Sequence, residues 1–243
     1  MSGLQSYSVW DRTTRIFHWL NAICILLLIM FGVMILNHNA IGIDSSEELI
    51  LKKLHAWVGY VFIINLIWRY VWGFIGNRYA RWGAVLPVGK GYISSLKEYL
   101  AGFKAGNPVH YLGHNPAARL SVSILFLLIT VQAMTGLVIA GTDIFYPPFG
   151  GYIQEWIAPV GVNPADLVPG TRDLYDPDAY AEMRAFRSPI LTVHEYNSFL
   201  IMFLVPLHII GVIVTDIKEG SGLISAMFTG KKMFASKPVD SEE

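Results

Sequence analysis

Four long apolar runs with almost no charge dominate the chain, at residues 16–36, 54–74, 117–140 and 190–215. Each is close to the roughly 20 residues that a helix needs to cross the hydrocarbon layer. The pattern therefore predicts an all-α membrane protein, a four-transmembrane-helix bundle. Arg12 and Arg15 precede the first run as they would in a signal peptide, but the run exceeds the usual 7–15 apolar residues or so and no small-x-small site follows. It is expected to stay as an anchor helix. Between the second and third runs Tyr92, Ile93, Leu96, Tyr99, Leu100 and Phe103 recur at helical spacing, opposite Lys90, Lys97 and Lys104. That arrangement predicts an amphipathic helix lying in the membrane interface. Residues 141–188 are rich in Pro, Gly, Tyr and Asp and show no period, and long segments of this kind are usually functional or disordered. Their aromatic content favours a folded cap outside the membrane.

Composition sharpens this picture. Of 243 residues, 53% are hydrophobic and 15% charged, against about a quarter charged in soluble domains, and the mean hydropathy is +0.46. Eighteen basic and eighteen acidic residues cancel, so nothing points to nucleic acid; the expected medium is membrane lipid. The single cysteine, Cys24, excludes an intramolecular disulfide, a four-thiolate cluster and a covalently attached CxxCH haem. Any metal chemistry has to come from histidine. Because Lys and Arg favour the cytoplasmic ends of spans, a cytoplasmic N-terminus is the better orientation, placing thirteen of the eighteen basic residues inside. Both termini are then cytoplasmic, residues 141–188 form a long periplasmic loop, and the whole chain is expected to act as one domain of a bacterial inner membrane.

Four of the seven histidines, His18, His55, His194 and His208, fall within the predicted spans, where an ionisable side chain is costly and signals function by default. His194 and His208 stand fourteen residues apart on the fourth helix, hence about 40° apart in angle and about 21 Å apart along the axis. The topology brings His55 to the level of His194 and His18 to the level of His208. Each pair supplies two axial ligands for a b-type haem with no open position, an arrangement suited to one-electron transfer. A single membrane histidine serves as readily as a hydrogen-bond partner between helices, but four that pair by depth favour ligation. Arg69, fourteen residues after His55, falls at the level of the His18/His208 pair, available to hold haem propionates or a quinone carbonyl or to snorkel from a helix end. In Gly113-His114-Asn115-Pro116, Asn115 and Pro116 have the signature of a helix start.

The stretch Val9-Trp10-Asp11 through Arg15-Ile16-Phe17-His18-Trp19-Leu20 resembles the first-helix signature of the bacterial cytochrome b561 family, which includes the b-type cytochrome subunits of NiFe hydrogenases. Lys53-Leu54-His55-Ala56-Trp57-Val58-Gly59-Tyr60, the Gly113-His114-Asn115-Pro116 motif and the His194/His208 spacing resemble its later helices. The formate dehydrogenase gamma subunit is similar in having four helices and two haems. The resemblance implies one haem between His55 and His194, a second between His18 and His208, and quinone exchange near the latter, with Asn115, His114 and Arg69 as candidates. The long acidic and aromatic loop departs from short family members.

The expected function is thus that of a di-haem cytochrome b relaying electrons between the quinone pool and a periplasmic redox protein, such as a hydrogenase, another dehydrogenase or a c-type cytochrome. A homodimer is compatible with the sequence. Two alternatives stand beside it. One is a self-sufficient quinone reductase acting on a small redox substrate such as superoxide; the other is a proton or metal path through the histidines, which needs no cofactor.

Overall fold

The computed structural model describes residues 4–241. Its four long helices are α1 (Arg12–Leu36), α2 (Ser45–Ile75), α5 (Pro116–Ile144) and α7 (Pro177–Glu219), each long and apolar enough to cross a membrane. Four short helices join or follow them: α3 (Trp82–Val85), α4 (Tyr92–Ala105), α6 (Gly150–Ile157) and α8 (Leu223–Thr229). The long helices outrun the apolar stretches because each begins at a polar cap. Asp11 Oδ1 accepts the Thr14 amide at 2.6 Å, and Asn115 Oδ1 accepts that of Ala118 at 2.8 Å. Asp176 Oδ1 accepts the amides of Asp178 and Ala179 at 3.1 and 2.9 Å. At α2 the capping is reciprocal: Asp44 Oδ1 takes the Glu47 amide at 2.9 Å while Glu47 Oε2 takes that of Asp44 at 3.1 Å. A cap and a polar first turn satisfy the free amides outside lipid, so α2 starts nine residues and α7 thirteen residues before its apolar run. Along the spans Leu26, Ile64, Leu127 and Phe203 are exposed, as expected of faces whose solvent is lipid.

The chain divides into two compact units. The first unit comprises residues up to 22, residues 64–127 and residues from 203 on. Beyond its helix segments it contains a small antiparallel sheet, β1 (Gln5–Ser8) with β2 (Lys231–Phe234), in which Gln5 faces Phe234 and Ser8 faces Lys231. Val9, Trp10, Leu112, Ala226 and Phe234 form its core. Gly230, at φ +81°, makes the corner between α8 and β2; its carbonyl accepts the amides of Val9 and Trp10, and a Cβ there would lie 2.6 Å from the Trp10 carbonyl oxygen. Only glycine fits that corner.

The second unit comprises residues 23–63 and 128–202. Its core outside the spans is Ile153, Ile157, Leu167, Tyr175 and Met183, so the segment after α5 has a packed interior of its own. Tyr60 and Tyr146 stack at 6.4 Å, and the Tyr60 hydroxyl donates to the Pro147 carbonyl at 2.6 Å. Those contacts tie the start of that segment to α2. With α5 running to Ile144 and α7 beginning at Pro177, the connection is shorter than residues 141–188.

Candidate functional site: two histidine pairs

In the second unit His55 and His194 face one another with ring centroids 6.4 Å apart and planes 69° apart. Two imidazoles on opposite sides of one metal need roughly 2 Å from each nitrogen to the metal and roughly 1 Å more to each ring centre, roughly 6 Å in all. Two glycines give this space its shape. A Cβ on Gly136 would lie 3.3 Å from Cε1 of His194, and one on Gly32 would lie 3.6 Å from Cε1 of His55. Both histidines line a cavity of about 440 Å³, within the range of small-molecule and cofactor sites. Its body is aliphatic, contributed by residues such as Leu28, Ile29 and Leu137, and its polar end holds Glu48, Lys52, Asp143 and Arg187.

The protonation of His194 follows from its neighbours. Thr135 Oγ1 spends its hydrogen on the Val131 carbonyl at 2.8 Å and lies 2.9 Å from Nδ1 of His194, so Nδ1 carries the proton and the hydroxyl oxygen accepts it. Nε2 keeps the lone pair. The opposite side agrees: Asn197 donates to Gln132 Oε1 at 2.6 Å, which turns the Gln132 amide nitrogen toward Nε2 of His194 at 3.0 Å. A metal bound at Nε2 would take the lone pair that Gln132 holds. His55 differs in that its Nδ1 is buried without a hydrogen-bond partner. A proton on Nδ1 and a free Nε2 is the state of a metal-ligating histidine oriented by its surroundings.

In the first unit His18 and His208 lie close enough for their charges to oppose one another, and Nδ1 of His18 is buried without a hydrogen-bond partner. Among the described residues no three or more His, Cys, Asp or Glu gather as a metal-ion site. The histidines come in pairs, which is what axial ligation of a porphyrin iron requires.

With this geometry established, comparison with known proteins decides the class. A family profile described as prokaryotic cytochrome b561 matches residues 9–230. The chain belongs to the prokaryotic cytochrome b561 family. Such a cytochrome is b-type, so haem b is its cofactor, and its four spans make it a multi-pass electron-transport protein of the bacterial inner membrane. The cytochrome is 27% identical to a probable Ni/Fe-hydrogenase B-type cytochrome subunit of Rhizobium leguminosarum bv. viciae, over 96% of this chain and 91% of the relative. It is 26% identical to the subunit of the same description from Cupriavidus necator, over 96% and 89%. A probable Ni/Fe-hydrogenase 1 B-type cytochrome subunit of Escherichia coli K12 is 29% identical over 67% of this chain and 73% of its own. No solved structure matches.

The remaining candidates of the cytochrome lie in the first unit. Arg69 is 4% exposed, so it is buried and does not snorkel; its guanidinium carbon lies 5.0, 5.3 and 5.8 Å from the ring centres of Trp82, Phe126 and Phe17. One of its nitrogens donates to the Ala80 carbonyl at 3.0 Å, while Nη1 is buried with no hydrogen-bond partner. His114 packs on Trp10 at 4.8 Å. Burial drives its pKa down to about 3, helped by the positive charges of Lys232, Arg69 and Arg119, so the ring is neutral at physiological pH. Asn115, besides capping α5, donates to the Tyr99 hydroxyl at 2.8 Å, and Tyr99 donates to Glu219 at 2.8 Å. Burial, with Glu219 beside it, raises the Tyr99 phenol. Lys232 is 1% exposed and donates to the carbonyls of Tyr111 and Gly113; burial lowers its ammonium to about 8 against the pull of Glu219, Asp240 and Asp216.

The sequence reading passed over Thr135, Gln132, Asn197, Lys52, Asp143 and Arg187. Thr135 and Gln132 precede Gly136 by one residue and by one turn, and Asn197 follows His194 by three. Polar groups at helical spacing around a membrane glycine or histidine are the signal that was available.

Proposed function

We propose that the cytochrome holds two haems b, one between His55 and His194 and the other between His18 and His208. In this reading it relays single electrons between a Ni/Fe hydrogenase docked on the periplasmic side and the quinone pool. The observation that carries it is the His55/His194 pair, whose rings stand 6.4 Å apart in a cavity shaped by Gly32 and Gly136. Bound haem supplies the one-electron chemistry. The protein's part is to present the two imidazoles to one another, to hold the protonated Nδ1 of His194 against Thr135, and to keep water out with an aliphatic wall. With two protein ligands per site no coordination position is left for oxygen, which favours transfer over activation.

Quinone exchange is assigned to the first unit, where Arg69, His114 and Asn115 lie. Neutral His114 offers a hydrogen-bonding ring there, and Arg69 carries a guanidinium nitrogen without a partner. The relatives' names, all B-type subunits of Ni/Fe hydrogenases, support a hydrogenase as the redox partner. Both termini are placed in the cytoplasm, so the segment between α5 and α7 faces the partner. The test is hydrogen-dependent quinone reduction by the purified cytochrome with its cognate hydrogenase. His208→Ala should abolish it while sparing haem at the other pair, and full activity in that variant would refute the assignment.

A further inference from the structure

Three helices of the second unit send charge to one end of the cavity. On α2 Lys52 stands three residues before His55, on α7 Arg187 stands seven before His194, and on α5 Asp143 stands seven after Gly136. Offsets of three and seven keep a side chain on the same helical face, so each charge continues the face that carries a candidate ligand or its glycine cradle. The three charges meet. Lys52 Nζ lies 2.9 Å from Asp143 Oδ2, Arg187 Nη1 lies 2.9 Å from Asp143 Oδ1, and Lys52 also reaches Glu48 at 2.8 Å.

A simple ion-pair staple between helices would account for the Asp143 contacts but not for two other features. All three side chains line the same cavity as the imidazoles, and Nε of Arg187 is buried without a hydrogen-bond partner. A buried donor left unpaired is costly, and here it belongs to a guanidinium, whose planar fork suits carboxylates. The cavity is thus apolar through its body, carries the two imidazoles at its middle, and gathers two cations, Lys52 and Arg187, with two carboxylates, Asp143 and Glu48, at one end. With Arg187 Nε left as an unpaired donor, that lining suits an apolar plate with acid groups on one edge, and haem b carries two propionates on one edge.

We propose that the Lys52–Asp143–Arg187 cluster seats the two haem propionates. It fixes which way round the haem lies between His55 and His194, and the summed charge there sets that haem's midpoint potential. This rests on the assignment of haem to the His55/His194 pair. Lys52 and Arg187 attract the propionates, and Asp143 competes with them for both cations. A cation nearby favours the reduced haem, which carries one positive charge less, and an anion favours the oxidised one.

The test is a potentiometric titration, followed in the visible spectrum, of the full chain in detergent and of its Lys52→Met, Arg187→Met and Asp143→Asn variants. The first two should lower the potential of one haem component so that its reduced-to-oxidised ratio at fixed potential falls at least tenfold, about 59 mV for one electron. Asp143→Asn should move the same component upward and leave the other in place. A staple would disturb all three variants in the same direction, so unmoved components or three shifts of one sign would overturn the proposal. If Lys52→Met loses that haem outright, Lys52→Arg should retain it; loss in Lys52→Arg also overturns the proposal. The underlying assignment fails by a different sign: His55→Ala would keep both haems.

Discussion

The two units surround their histidine pairs differently. In the second unit the cations near the pair, Lys52 and Arg187, share Asp143 at distances of 2.9 Å, with side chains a fifth to a quarter exposed. In the first unit the cations that act on His114, Arg69 and Lys232, are 4% and 1% exposed, and Arg69 sits among Phe17, Trp82 and Phe126. A charge already paired with a carboxylate can be transferred to another carboxylate at small cost. A charge held by aromatic faces and backbone carbonyls is fixed in place and acts on whatever lies beside it through a low-dielectric medium. In this account one unit seats an acidic cofactor edge, and the other keeps the aromatic-caged cation Arg69 beside a neutral histidine.

The largest effect that sharpens this comparison is loss of a cofactor. His194→Ala should remove one haem and leave the other spectroscopically intact, and His18→Ala should remove the complementary one, as pyridine haemochrome assays on each purified variant would show. Next in size is a pH effect to which His114 of the first unit contributes. His114 has a folded pKa of about 3 against an ordinary 6.5, so below pH 6.5 the unfolded chain binds the proton that the folded chain refuses. Stability is complete above about 6.5 and falls as pH drops toward 3, by on the order of 3 kcal/mol at pH 4. Thermal unfolding in detergent at pH 7 and pH 4 should show this, and His114→Gln should reduce the difference by about that amount.

Thr135→Val tests the second unit in a subtler way. It keeps the side-chain shape but removes the oxygen that accepts the Nδ1 proton of His194. Haem retention should weaken about 10–100-fold in a haem-transfer competition, and Thr135→Ser should restore it. The smallest effects concern the caps. Asn115→Ala removes a buried cap that also donates to Tyr99 and should cost about 1–2 kcal/mol. Asp44→Ala removes an exposed cap in the second unit and should cost less, about 0.5–1 kcal/mol; the difference is readable as a difference in unfolding temperature.

Much of the architecture was legible because lipid imposes simple rules. Long apolar runs have to be helices, and the alternation of Tyr92, Ile93, Leu96 and Tyr99 against Lys90 and Lys97 reads as the helix that became α4. Helix starts were less legible from hydropathy alone. Asp44-Ser45-Ser46-Glu47 and Asp176-Pro177-Asp178 are capping sequences lying well before the apolar residues they serve. The β1–β2 pairing could not be read locally: two four-residue strands more than two hundred positions apart carry no period long enough to detect. Of the site, the meeting of His55 with His194 followed from chain direction and depth. The cluster of Lys52, Asp143 and Arg187 was hidden because each looked like an ordinary interfacial charge until three helices brought them together. Arg69 shows the same limit, since one residue number cannot distinguish a snorkelling side chain from one caged by aromatics.

The central claim, two bis-histidine haems per chain, is tested most directly by a dithionite-reduced minus oxidised spectrum of the detergent-purified cytochrome, with haem counted per chain in the wild type and in His55→Ala. Two low-spin b-type haems, falling to one in the variant, are the predicted result. A single haem per chain, or two haems retained without His55, would contradict the account.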